Sequence, residues 1–174
     1  MNLETSSLNR ALIGRKNTIV EEWLRLTLRT YPEPTTQFLS QENDPFRNPV
    51  GTTFRKGLAA LFDELVSAGD LAATVPVLDR IVRIRAVQNF TASQAVAFVF
   101  LLKQVVRGEL GESTTLFAGE YAILEARIDK LALLAFDIFV KCREQIFEIK
   151  AKEAKRMVYV LERSQQRKSS GIAG

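Results

Sequence analysis

A chain of 174 residues, 47% hydrophobic and 25% charged, has ordinary globular composition and the length of one domain with a real core. It has no histidine and one cysteine, Cys142, which excludes an internal disulfide, thiolate–histidine or serine-triad catalysis, histidine-held metals and proximal-histidine haem. The formal charge of +4 is uneven, because residues 141–168 hold nine Lys/Arg against four Asp/Glu and the rest is about neutral.

Residues 6–30 read as a first helix, capped by Ser6 or Ser7. Leu8, Leu12, Ile19, Trp23 and Leu26 fall near helical spacing, and Gly14 weakens the pattern. Tyr31-Pro32-Glu33-Pro34 stops it, because each proline pushes its predecessor out of the α region. A helical turn from Thr35 would carry Phe38 and Leu39 inward. Residues 31–51 hold four prolines and the turn-rich string Asn43-Asp44-Pro45-Phe46-Arg47-Asn48-Pro49-Val50-Gly51. A connection this long is either a ligand or interface loop or a packed strap with Phe46 plugging the core.

Thr52 or Thr53 opens the next helix, to about Ala68, with Phe54, Leu58, Leu61, Phe62 and Leu65 on one face. Another begins between Asp70 and Pro76 and runs to Val87, with Pro76 in its first turn. Asp79 and Arg83, four apart, pair on its surface. Arg80, Arg83 and Arg85 could together grip an anion or carboxylate. The alternative is surface pairing with nearby acids at a favourable helix C-terminus.

Asn89-Phe90-Thr91 breaks the chain, and Thr91-Ala92-Ser93-Gln94 is a capping box. The helix it opens is apolar nearly all round, from Ala95 to Val106, and must be enclosed. It ends near Gly108 to Gly111. From about Thr115 to Glu162 nothing interrupts one long helix except Gly119. At about 1.5 Å per residue it is on the order of 70 Å long, more than the ~26 Å width of a ~100-residue body. Part of it must project. Its apolar seam, through Ile128, Leu131, Ile138, Cys142, Ile146, Ile149, Met157 and Val160, suits parallel pairing with a second copy. A solvated tail after Lys150 is the alternative. Residues 164–174 read as disordered.

Gly-rich phosphate loops, CxxC, HExxH, GxSxG and EF-hand loops are absent. Asp44, Asp63, Glu64, Asp79 and Asp137 are the acids in apolar settings, and Asp137 is expected to be partly buried. Nothing in their spacing links them into an acid–base pair, so no enzyme, metal or cofactor is expected. The basic stretch 141–168 suits either a solvated helix end or contact with nucleic acid or anionic lipid. The start, Met1 to Ser7, is polar, and no run is long and apolar enough to span a bilayer. The expected location is the cytoplasm.

Two strings carry a resemblance. The first is Tyr31-Pro32, Thr36-Gln37-Phe38-Leu39, Asp44-Pro45-Phe46 and Asn48-Pro49-Val50-Gly51. The second is Leu78-Asp79-Arg80-Ile81-Val82-Arg83-Ile84-Arg85-Ala86-Val87-Gln88, followed by Phe90-Thr91 and Ser93-Gln94-Ala95-Val96. Over about residues 10–145 the chain resembles the N-terminal domain family of the RsbT co-antagonist proteins of RsbRD type. That resemblance implies an all-α, globin-like, haem-free, dimeric body with a sensory input role in general-stress signalling. In the family this domain usually precedes a STAS domain or sits on other bacterial signalling proteins. This chain departs from that pattern by ending soon after its long helix.

The expectation is therefore a single all-α domain of five or six helices over residues 1–163, with a dimerising and signalling helix over 120–163. Asp44, Phe46, Asn48, Arg80, Arg83, Arg85, Gln88 and Phe90 are the candidate ligand or interface residues. The expected partners are a second copy and signalling proteins of STAS or switch-kinase type, with no nucleic acid. An adaptor docking on a cytoplasmic or membrane-associated, even redox, complex is the second hypothesis, and nucleic-acid binding the third.

Overall fold

The computed structural model describes residues 6–41, 44, 46–67, 69–88 and 90–170; for Gln41 and 164–170 it describes the backbone alone. The turn formers Asn43 and Pro45, the helix end at Ala68, the break at Asn89 and the tail at 171–174 lie outside the described residues. Among the described residues there are seven α-helices and no strand. They are α1 (Ser7–Gly14), α2 (Lys16–Leu28), α3 (Glu33–Gln41), α4 (Pro49–Val66), α5 (Val75–Ala86), α6 (Ala92–Leu110) and α7 (Ala118–Ser170). Short 3-10 turns at Leu71–Thr74 and Gly111–Thr114 lead into α5 and towards α7. The domain is all-α, with one or two helices more than expected.

The extra helix comes from the first segment. Ser6 caps α1 by accepting from the Asn9 amide, but the chain leaves the helical region at Arg15 (φ −113°, ψ 12°). Gly14, the poorest helix former there, marks the break. α1 is then held by its own long-range bonds, the Asn9 side chain donating to the Val66 carbonyl at 2.8 Å. α2 buries Ile19, Trp23, Thr27 and Leu28. The Trp23 indole donates to the Phe98 carbonyl at 2.6 Å, pinning α2 to α6.

The strap of residues 31–51 is packed differently from expectation. α3 starts at Glu33 rather than Thr35, since a proline in a first helical turn loses no hydrogen bond. Leu39 is buried and Phe38 is half exposed. Neighbours on a helix point about 100° apart, so one inward residue turns the other out. Phe46 is 96% exposed and plugs nothing. Asn48 closes the strap instead. It is fully buried, accepts from the Gly51 amide at 2.7 Å and donates to the Leu39 carbonyl at 2.9 Å. α4 therefore begins at Pro49, three residues before the expected Thr52.

The apolar face of α4 is buried as expected, with Phe54, Leu58, Leu61 and Leu65 wholly inaccessible. The capping box at Thr91 and Gln94 forms and opens α6. α6 packs against α2, α5 and α7, but it is not enclosed all round. Phe100 is 45% exposed, and Gln104 and Arg107 share that wet side. Gly111 ends the helix at a φ of 52°, where a side chain would be strained.

α7 is 53 residues, on the order of 80 Å at about 1.5 Å per residue. Tyr121, Leu124, Ile128, Leu131, Ala132, Ala135, Phe139 and Cys142 form its buried stripe, packed on α6, α5 and α4. From Phe147 to Arg163 every side chain is exposed, so this part leaves the body. Three expectations change accordingly. Ile128, Leu131 and Cys142 are core of a single chain rather than a seam between two copies. Asp137, opposite the buried stripe, is exposed. The helix continues to Ser170, through the first seven residues of the expected tail. No described helix is long and apolar enough to cross a membrane.

Candidate functional site

The three arginines of α5 face three different places. Arg83 pairs with Asp79 at 2.6 Å and reaches Gln145 of α7 at 3.4 Å. Arg80 is exposed and lines a shallow cleft of about 430 Å³ with Thr52, Thr53 and Lys56 of α4. Arg85 is fully buried. The spacing explains it: Leu78, Ile81, Val82 and Arg85 fall at the intervals of one helical stripe, and that stripe is the buried one. An arginine occupies a core position.

Arg85 is held by neutral groups. Its Nε donates to the Ala95 carbonyl at 2.9 Å. Its Nη2 donates to the Gln94 carbonyl at 3.0 Å and to Thr30 Oγ1 at 3.0 Å. The guanidinium carbon lies 4.3 Å from the centre of the Phe90 ring, 5.2 Å from that of Tyr31 and 5.7 Å from that of Phe98. These ring faces attract a cation. Tyr31 meets Phe90 edge-on at 5.2 Å and Phe54 at 6.0 Å. No carboxylate pairs with Arg85 among the described residues. Burial pushes its pKa down from the ordinary value, and the Tyr31 hydroxyl opposes that shift. Burial pushes the Tyr31 phenol up, against the pull of the nearby guanidinium.

Above this cluster lies a cleft of about 410 Å³. One wall is the α2–α3 turn, with Thr30, Tyr31, Pro32 and Thr35. The other is Gln88, Phe90 and Gln94, between α5 and α6. Three buried polar atoms gather behind its wall, the Tyr31 hydroxyl, Arg85 Nη1 and Gln88 Oε1; the first two groups lie close enough to influence each other, but none of the three atoms has a partner at full hydrogen-bond geometry among the described residues. Buried polar atoms are normally paired, so their collection at one place marks it.

The structure thus brings together Arg85, Gln88 and Phe90 and leaves the other candidate residues elsewhere. Asp44 and Phe46 are exposed on the strap, where the Asp44 carboxylate accepts the Phe46 amide at 2.9 Å. Asn48 is committed to closing that strap. Tyr31 and Thr30 were not among the candidates; a helix-stopping tyrosine before a proline gave no sign of facing a buried cation. Two polar clips were also absent from the sequence reading. Glu120 is buried at the start of α7. Arg127 of α7 donates to the carbonyls of Leu65, Glu64 and Gly69 at 3.1, 2.9 and 2.8 Å, closing the C-terminus of α4. No group of three or more Cys, Asp or Glu among the described residues is placed to hold a metal.

The cleft is also one turn away from the long helix. Arg143 of α7 donates to the Ala86 carbonyl at 3.2 Å, between Arg85 and Gln88. Arg83 to Gln145 is a second tie from the same turn. The Cys142 thiol, beside these arginines, is buried, and that burial pushes its pKa up.

The molecule is an all-helical domain whose last helix runs on beyond its body. The RsbT co-antagonist protein RsbRD N-terminal domain matches residues 17–154. The chain belongs to that family, a family of regulatory, sensor-type domains associated with stressosome signalling. No curated protein and no solved structure matches the chain.

Proposed function

We propose that this chain is a non-enzymatic signal-input domain of the stressosome type, which senses at the Arg85 cleft and relays through α7. One observation carries the reading. The last turn of α5 is bonded to α7 through Ala86 and Arg83, and Gln88, two residues past its end, lines the cleft. A group that alters the packing of that turn acts on Arg143 and Gln145 directly. Such a relay requires two discrete arrangements of α7, each favoured by a different occupancy of the cleft. The globin-like, haem-free body implied by the resemblance goes with this role, as do a cytoplasmic location and a STAS or switch-kinase partner.

The output is a pair of α7 helices. Ile149, Met157 and Val160 are each more than half exposed and extend the spacing of three and four along the projecting part. They suit a seam with a second copy. Light scattering after gel filtration at micromolar concentration is the test. A dimer is expected, and a monomer would remove the relay.

One observation favours the adaptor as a second reading. Met157, Val158, Tyr159, Val160 and Leu161 are consecutive and all exposed. Five consecutive residues go right round a helix, further than one partner helix covers. A pull-down with the intact chain that recovers one stoichiometric partner, and no dimer without it, would support the adaptor instead.

A further inference from the structure

The cluster beneath the cleft is short of one thing: negative charge. Arg85 keeps its proton in any protein setting, is fully buried and pairs with no acid among the described residues. Two of its carbonyl partners, Gln94 and Ala95, sit in the first turn of α6, where the helix dipole is itself positive. The aromatic faces and carbonyls offset part of the desolvation, but none of them carries a full charge. A bridging water could satisfy the orphaned atoms and still leave the charge unanswered. An anion that also carries a donor would do both.

The size and lining narrow the anion. No Lys or Arg lines the cleft itself, and the cation behind its Tyr31 and Phe90 wall is the single guanidinium of Arg85, so a single negative charge is matched and a dianionic phosphate is not. Two of the orphaned atoms, Arg85 Nη1 and the Tyr31 hydroxyl, are donors, while Gln88 Oε1 is an acceptor. Between them they fit a carboxylate with a hydroxyl close by. Tyr31, Pro32 and Phe90 give the walls apolar surface for the rest of a molecule. The volume of about 410 Å³ lies in the usual range for small-molecule sites.

We infer that the cleft between the α2–α3 turn and the α5–α6 junction binds a small monocarboxylate with an apolar or aromatic body and an adjacent hydroxyl. The carboxylate takes Arg85 Nη1 and the Tyr31 hydroxyl, and the adjacent donor meets Gln88. Gln88, partly buried in the cleft wall, is the side chain that turns to admit it. This names the cue for the proposed input role and rests on that role only for what binding accomplishes.

The test is titration of the isotopically labelled full chain, followed by amide shifts, with four probes. Mandelate has the carboxylate, the hydroxyl and the ring. Phenylacetate lacks the hydroxyl, mandelamide lacks the charge, and inorganic phosphate lacks the body. Mandelate is expected to move amides of residues 30–35 and 88–95 saturably, with a Kd on the order of 1 mM or tighter. Phenylacetate should bind several-fold more weakly and mandelamide at least about tenfold more weakly, a charge-assisted contact being lost. Tyr31→Phe keeps the ring over Arg85 and should weaken mandelate about tenfold. Arg85→Met should abolish binding, and because it also removes a core group, Tyr31→Phe is the deciding variant. No saturable shift from either carboxylate, shifts centred elsewhere, equal binding of mandelamide or phosphate, or unchanged affinity in Tyr31→Phe would each overturn the inference. Mandelate binding without any effect on α7 would leave the inference standing and sink the relay; a dimer that responds to other cues while the cleft stays empty would do the reverse.

Discussion

The Glu120 carboxylate accepts the backbone amide of Leu8 at 2.7 Å, joining the first turn of α7 to the first turn of α1. Ser7 Oγ adds a second contact at 3.3 Å. A side chain from the far end of the chain thus serves an unpaired amide at a helix start, the place where negative charge is most favourable. The Leu8 amide is the chief reason the Glu120 pKa is lowered. A carboxyl whose native pKa is depressed contributes stability above its unfolded value, near 4.5, and loses it as the pH falls towards the native value. Urea midpoints measured between pH 7 and acid should therefore fall below about pH 4.5. In Glu120→Gln the midpoint at neutral pH should drop and this acid limb should flatten. An unchanged acid limb would mean that the contact is not formed in solution.

Removing the Tyr31 hydroxyl should cost little in the empty protein. Its oxygen is buried without a partner, and an unsatisfied buried hydroxyl is itself unfavourable. Tyr31→Phe is expected within about 1 kcal/mol of wild type, on the stable side. Arg85→Met should go the other way by about 2–3 kcal/mol, because it strips charged donors from Thr30 and Gln94 and breaks the ring stack. Chemical denaturation of the two variants side by side checks the contrast. A Tyr31→Phe loss as large as that of Arg85→Met would show the hydroxyl to be fully bonded.

Asn48 should matter for stability and not for ligand binding. Asn48→Ala loses both the cap on Gly51 and the bond to Leu39, for a cost of about 2 kcal/mol. Gly51→Ala should be at least as damaging, since its new carbon would sit 2.6 Å from the Leu39 carbonyl oxygen and clash with the Asn48 side-chain amide. Urea midpoints give the first quantity. Mandelate titration of the folded variants gives the second, and a selective loss of binding in Asn48→Ala would bring the strap into the site.

The pair Met157→Glu and Val160→Glu should separate assembly from folding. Both side chains are exposed, so the unfolding midpoint of the body should stay within about 0.5 kcal/mol. The proposed dimer should become a monomer by sedimentation equilibrium. A dimer that survives both charges would place the interface on some other surface of the chain.

Local chemistry was legible at most places where neighbours in sequence decide the outcome. The Thr91–Gln94 capping box, the Asp79–Arg83 pair, Pro76 near the start of α5 and the apolar face of α4 all depend on spacings of three or four residues. The Asn48 cap on Gly51 is a local feature that the run of turn formers hid. What else escaped depends on partners far along the chain. Arg85 is a charged residue on an apolar stripe, and its fate is set by Thr30, Tyr31 and the start of α6. Glu120 and Arg127 look like ordinary surface charges until α1 and α4 are seen beside them. The same holds for the seam of α7. Its first half has the spacing of a pairing helix, yet α5 and α6 cover that stripe within the same chain, and the apolar side chains left open lie on its outer side, as Leu133 and Phe136 do, or beyond Ile146.

The lone tryptophan has a practical consequence. Trp23 is wholly buried, and its indole is bonded to the carbonyl of Phe98, whose own ring faces Arg85. Its fluorescence is therefore expected to respond to a change in packing around Arg85. With no other indole in the chain, emission wavelength and quenching can follow occupancy of the protein without a label.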